Sequence, residues 1–252
     1  MKKANIIVLI LLFSLNLYGQ NPEEVVEKCI DVLGGEGAAK KFSSYQAKGE
    51  MKIAMRGMEL SGKLESILLD GKSWNRTELA FGQEVYTMIR AYDGKTAWMD
   101  RMGTIVDQPS LNYESDSDHG IFLLAEKDSK FSFTKEKEID GRKAVGIEVD
   151  FKGKKTTFYI DKENSTVLEM VYKDLYFGEK YTKEMLEKRI RFADYRRIEN
   201  VFFPLHMTFY QEGKKLMEFQ FSEVTFKPEV SLARFKRPDQ KLDLRYSEER
   251  IH

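Results

Sequence analysis

Val201-Phe-Phe-Pro-Leu-His-Met-Thr-Phe-Tyr-Gln-Glu-Gly-Lys-Lys-Leu-Met-Glu-Phe-Gln-Phe-Ser-Glu-Val-Thr-Phe226 is the stretch on which the fold turns. Its side chains repeat every two residues, the period of a β-strand. Val201, Phe203, Leu205, Met207 and Phe209 share one face, with Phe202 and Tyr210 on the other. After Glu212-Gly213, a weak hairpin signal, Met217, Phe219 and Phe221 alternate against Leu216, Val224 and Phe226. Two long antiparallel strands with apolar residues on both faces follow from this pattern.

Working outward, the same period covers most of the chain. Met51, Ile53 and Met55 alternate with Glu50, Lys52 and Arg56, and Leu60, Leu64 and Leu68 with Glu59, Lys63 and Glu65. Asp70-Gly71, Asp93-Gly94 and Asp140-Gly141 mark further hairpins. The strands read as 45–56, 59–69, 73–81, 84–92, 95–99, 103–107, 130–137, 143–151, 154–160, 166–175, 189–198, 201–211 and 214–226. Spacings this short imply an antiparallel meander in sequence order with no βαβ crossover. Two segments break the period. Gln108 to Ser129 reads as a loop leading into a short apolar helix around Ile121-Phe-Leu-Leu-Ala125, and Glu179 to Lys188 is charged and helix-prone.

The beginning of the chain differs in kind. Met1-Lys-Lys3, the apolar run Ala4–Leu17 and the small Gly19 fit a secretory signal peptide over 1–19, cleaved before Gln20. The run is too short to favour a stable membrane span. Next comes a helix with Asn21 as N-cap, Pro22 at its first position and Glu23 and Glu24 at its positive end. Val25, Val26, Cys29, Ile30, Val32 and Leu33 form its apolar stripe, and Gly34-Gly35 stops it. A second short helix is expected over 36–42. The polar 238–252 reads as a loose tail, leaving 20–237 as one domain.

Composition narrows the function classes. Lysine and arginine number 41, as do aspartate and glutamate, so no basic excess serves nucleic acid. With one cysteine the exported domain has no internal disulfide and depends on its core. Cys29 lies on an apolar helix face, where a buried thiol is structural. Histidine is confined to His119, His206 and His252, and neither a His-Glu-x-x-His pattern nor a Gly-x-Ser-x-Gly turn occurs. Asp116, Asp118 and His119 are the best metal candidates, yet Gly120 stands where a calcium loop needs another ligand, so they read as a solvated loop. No cofactor and no catalytic residue is expected.

Strands that are apolar on both faces need cover, or one face lines a cavity. Two short helices are little cover for so many strands. A strongly curved sheet closing toward a barrel around a helical plug solves this, with an interior suited to methionine and aromatic side chains. The expected lining is Trp74, Tyr86, Met88, Trp98 and Met99, with Ile121, Phe122, Leu123 and Leu124 as a movable plug; the alternative from the same spacing is that these residues make an ordinary packed core.

Two stretches carry a family resemblance. Ile30-Asp-Val-Leu-Gly-Gly-Glu-Gly-Ala-Ala39, followed by Phe42-Ser-Ser-Tyr-Gln-Ala-Lys-Gly49, resembles the opening of periplasmic proteins related to the outer-membrane lipoprotein carrier LolA. Phe192-Ala-Asp-Tyr-Arg-Arg-Ile-Glu-Asn-Val-Phe-Phe-Pro204, then Phe219–Phe226 and Phe235-Lys-Arg-Pro238, is similar to that group's closing hairpin. The resemblance implies an incomplete antiparallel barrel, mainly β with some α, whose helices lid an apolar concave face. It also implies a monomeric periplasmic protein of a Gram-negative-type envelope. Its partners would be lipid or lipoprotein acyl chains, held as carrier or sensor, with a membrane-protein partner allowed. The individual functional residues of the carrier have no matched positions here. A non-enzymatic envelope scaffold on the same fold is the alternative, and a hydrolase using dispersed carboxylates is a weaker third.

Overall fold

Asn21 starts the first helix as its sequence demands. In the computed structural model, which describes residues 21–55, 58–108, 120–177 and 183–238, its side-chain oxygen accepts a hydrogen bond from the Glu24 amide at 2.8 Å. Helix α1 (Pro22–Leu33) buries Val25, Val26, Cys29, Ile30 and Leu33. Gly34 then turns left-handed at φ 110° while its N–H donates to the Asp31 carbonyl. A Cβ at Gly34 would lie 2.0 Å from the Asn200 carbonyl oxygen, so glycine is needed for space as well as for conformation. Helix α2 (Glu36–Lys40) and a 3₁₀ turn (Lys41–Ser43) follow. The expected signal segment 1–19, nearly all of the tail and the Asp116, Asp118 and His119 loop lie outside the described residues.

Thirteen strands come next among the described residues: β1 (Ser44–Met55), β2 (Met58–Leu69), β3 (Lys72–Phe81), β4 (Glu84–Tyr92), β5 (Ala97–Arg101), β6 (Thr104–Gln108), β7 (Lys130–Ile139), β8 (Arg142–Phe151), β9 (Lys154–Asp161), β10 (Val167–Phe177), β11 (Lys183–Ile198), β12 (Val201–Gln211) and β13 (Lys214–Phe226). They form one sheet in the order β6-β5-β4-β3-β2-β1-β13-β12-β11-β10-β9-β8-β7. Neighbours in sequence are neighbours in the sheet, as the short turns require. The exceptions are that β6 and β7 are the two edges, and that the first and last strands pair in the middle, from Tyr45 opposite Phe226 to Ile53 opposite Met217. No ladder joins β6 to β7 among the described residues, so the sheet is not closed into a barrel. Asp70-Gly71, Asp140-Gly141 and Glu212-Gly213 hold positive φ at both positions, the geometry of tight hairpin turns.

One expectation is corrected. The helix-prone run 179–188 is not a helix where it is described, because Lys183–Ile198 is a single strand. The Glu187 carbonyl accepts from the Glu212 N–H at 2.9 Å, and Lys188 stands opposite Gln211. The hydrogen bonds offered by β12 and its turn outweigh the helix propensity of Lys, Glu, Met and Leu.

The chain clusters into two compact units. A helix-bearing unit holds the chain up to 42, 119–174 and 186–216; a meander unit holds 43–118, 175–185 and 217–252. In the helix-bearing unit, α1 packs against β12 and β7. The 3₁₀ helix Ile121–Ala125 packs against α1, α2 and β8, and Phe42 stacks on Phe203 at 5.1 Å. Phe158, Ile147, Ile160, Met170 and Phe203 are buried beneath this cover. In the meander unit, a C-terminal segment that includes the 3₁₀ helix Leu232–Arg234 supplies cover. Phe235 is fully buried with Ile67, Trp74, Ala91 and Trp98, and its carbonyl accepts from the Trp98 indole at 2.9 Å. The Arg234 guanidinium lies 4.0 Å from the Trp74 ring centroid and also pairs with Glu65. Among the described residues no helix is long and apolar enough to cross a membrane.

Candidate functional site

Register assigns every side chain of the meander unit to a face, because successive residues of a strand point opposite ways. Ile67 stands opposite Trp74, Trp74 opposite Ala91, and Ala91 opposite Trp98, so these share one face. That face also takes Lys63, Glu65, Lys72, Arg76 and Glu78, and on β1 Lys48, Glu50 and Lys52. The other face takes Met51 and Ile53 from β1, Met58, Leu60 and Leu64 from β2, and Leu79 and Phe81 from β3. It continues with Tyr86 and Met88 on β4, Met99 on β5, Val106 on β6 and Phe219 and Phe221 on β13. One face carries most of the charge around an apolar patch at Trp74 and Trp98, and the other is mostly apolar.

The expected lining is therefore divided. Trp74 and Trp98 lie on the charged face beneath Phe235, while Tyr86, Met88 and Met99 lie together on the apolar face. Ile121, Leu123 and Leu124 are buried in the helix-bearing unit, with Phe122 half-buried beside them. Residues of the apolar face absent from that expectation include Met58, Leu60, Phe81 and Val106. The signal that finds them is parity: each shares the register of Tyr86, Met88 or Met99.

Exposure distinguishes this face from a closed core. Leu64, Leu79 and Met99 are buried, but Met58 is 49% exposed, Phe81 47%, Val106 39% and Tyr86 38%. Leu60, Met88 and Phe219 are half-buried. The Tyr86 hydroxyl donates to Glu84 at 3.1 Å, and that carboxylate, mainly through the hydrogen bond, pushes the phenol above its usual value. The apolar body of the ring stays available while its polar tip is satisfied at the turn.

Two surface depressions are of a different character. One of about 330 Å³ is lined by Glu50, Met51, Lys52, Ser61, Gly62, Lys63, Glu218 and Gln220. Its signs balance and its walls are charged, which suits water better than hydrocarbon. The other, about 240 Å³, lies in the helix-bearing unit beside Asp140, Arg142, Arg191, His206, Thr208 and Tyr210. Next to it Glu169, fully buried, pairs with Lys137, with Arg191 Nε at 3.1 Å and with Arg189 Nε at 3.5 Å. A register shift between Val167 and Glu169 lets Leu168 join Ile139 and Ala144 while Glu169 reaches these cations. Arg191 also pairs with Asp140 at 3.1 Å, and Arg142 with Asp161. Three cations enclosing one buried carboxylate hold it in place by charge and hydrogen bonding. Cys29 is likewise inert, since burial pushes its thiol up to about 12.

An open antiparallel sheet with an N-terminal helix and one face left apolar defines the class to which the molecule belongs. More narrowly, its fold is LolA-like. A LolA superfamily protein from Nitrosomonas europaea superposes with a TM-score of 0.53 at 10% identity, over 87% of this chain and 99% of that one. A domain from Vibrio parahaemolyticus described as an outer membrane lipoprotein-sorting protein gives 0.51 at 16% identity, over 85% and 96%. A DUF1329 family protein from Desulfovibrio piger gives 0.53 at 12%, over 86% and 98%. No family model matches the sequence, and no curated protein does.

Proposed function

We propose that the protein is an exported, periplasmic binder of acyl chains that acts as carrier or sensor and performs no chemistry on them. The observation that carries this reading is the exposure of Met58, Phe81, Tyr86 and Val106 on a single face of the meander unit. Large apolar side chains left open together mark a place where something apolar binds. Tyr86, Met88 and Met99 form the centre of the proposed site, and Met58, Leu60, Phe81 and Val106 extend it. Methionine adapts to chains of varied shape, and tyrosine adds a ring whose polar end is already bonded. Each methylene buried contributes about 0.8 kcal/mol, so a short run of chain offsets the cost of association. The lipoprotein-sorting description of one structural neighbour and the leader-like start of the sequence support an envelope role.

The test is direct. Protein purified from an expressing Gram-negative host is extracted with organic solvent and the extract analysed by mass spectrometry. The emptied protein is then titrated with a fluorescent fatty acid. Bound lipid, and binding weakened at least fivefold by Tyr86→Ser with Met88→Ser, is the expected result. An empty extract together with no response to the probe overturns the reading.

A further inference from the structure

Charge is sorted almost completely between the two faces of the meander unit. On β1, β2 and β3 the apolar face, from Tyr45 to Ile53, from Met58 to Leu68 and from Ser73 to Phe81, carries no charged side chain. The opposite face of the same strands carries Lys48, Glu50, Lys52, Glu59, Lys63, Glu65, Lys72, Arg76 and Glu78. Along β4 and β5 the sorting is broken by Arg90, inside β4, and by Arg101, the last residue of β5. Arg90 and Arg101 share the face of Met88 and Met99, Arg90 standing opposite Met99 and Arg101 opposite Met88. Glu84 is the remaining charge on this face of the two strands; it sits at the turn and accepts from the Tyr86 hydroxyl.

Both arginines are exposed, and neither is paired with a described carboxylate. The other described arginines of this unit are paired: Arg76 with Glu78, Arg234 with Glu65 and Arg237 with Asp107, all on the charged face or the segment that covers it. The register makes Arg90 and Arg101 diagonal neighbours, a spacing of about 7–8 Å or somewhat less between Cβ atoms. Two like charges at that spacing repel each other, and an anion placed between them removes the repulsion. Guanidinium groups offer planar, two-pronged donors that match carboxylate and phosphate oxygens. Met88, half-buried opposite Arg101, would meet the chain attached to that head.

From this we infer that Arg90 and Arg101 form the headgroup site of the apolar face and select amphiphiles with an anionic oxygen head, carboxylate or phosphate, over neutral ones of equal chain length. The inference rests on the acyl-binding reading and adds the chemistry of the head.

The experiment displaces the neutral probe N-phenyl-1-naphthylamine from the chain beginning at Gln20, which keeps every described element. Competitors are palmitate, palmitoyl lysophosphatidic acid and hexadecanol. At low salt an anionic competitor is expected to displace the probe at about tenfold lower concentration than hexadecanol. In Arg90→Gln with Arg101→Gln that gap closes to about twofold, while the hexadecanol curve and the urea midpoint stay where they were. Arg76→Gln, a change on the charged face, leaves the gap intact. A phosphate head favoured over palmitate identifies a phospholipid-type ligand, and palmitate equal or better identifies a free fatty acid; either supports the inference. Equal displacement by acid and alcohol in the unmodified protein overturns it and leaves acyl binding standing, as does a gap that survives in the double variant. Failure of the probe and of every competitor to bind sinks both.

Discussion

The helix-bearing unit and the meander unit are built from the same kind of strand and differ in what covers them. Phe158, Ile147, Ile160 and Met170 are each no more than 2% exposed, in the unit that holds α1, α2 and the 121–125 turn. Met58, Phe81, Tyr86 and Val106 occupy comparable alternating positions and are each at least 38% exposed. In the helix-bearing unit the apolar positions beneath the helices are closed core, whereas in the meander unit Met51, Leu64, Leu79 and Met99 are buried while Met58, Phe81, Tyr86 and Val106 on the same face stay open. Periodicity alone does not separate the two cases.

Substitutions should reproduce that contrast. Phe158→Ala is expected to lower unfolding free energy by about 4 kcal/mol, read from urea denaturation, whereas Phe81→Ala should change it by about 0.5 kcal/mol or less. Equal losses would break the comparison. Charged groups should divide in the same way. Glu169→Gln leaves Lys137, Arg189 and Arg191 without their shared carboxylate and should cost about 2 kcal/mol, discounted for the solvent that reaches the cations. Trp98→Phe removes the donor to the Phe235 carbonyl, and a loss of about 1 kcal/mol is expected. If calorimetry shows no change for Trp98→Phe, the C-terminal segment does not hold the charged face as described.

The smallest effect concerns Cys29. Its thiol ionises from about 9 when unfolded and only at about 12 when folded, because burial disfavours the thiolate. The raised value means its contribution is fully present below pH 9 and falls as pH rises toward 12, by about 1 kcal/mol at pH 10. Cys29→Ala should flatten that slope, and a thiol reagent at pH 8 should react only as fast as the protein unfolds.

Much of this architecture was legible from residue order. Alternation and Asx-Gly turns placed the strands to within a few residues, and Asn21, Pro22 and Gly34 bounded the first helix. The 183–188 segment was misleading because propensity is local, while the partners that hold Lys188 as strand, Gln211 and the turn at Glu212, lie far along the chain. The division of the expected lining was available in principle. Trp74 has the parity of Arg76 and Glu78, whereas Tyr86 and Met88 have the parity of Arg90. What parity could not disclose is that Phe235 returns to cover the tryptophans, since no periodic signal links a short terminal segment to a distant strand.

The pairing of β1 with β13 sets a condition on assembly. Strand β1 acquires β2 almost as soon as it is made, but its second neighbour is the last strand among the described residues. Until residues 217–226 arrive, β1 keeps a bare row of backbone donors and acceptors, an invitation to stray strands. Contacts so distant in sequence also form slowly. A polypeptide cut short before Lys214 thus keeps two open seams in mid-sheet, and the final hairpin serves as the clasp that marks a finished molecule.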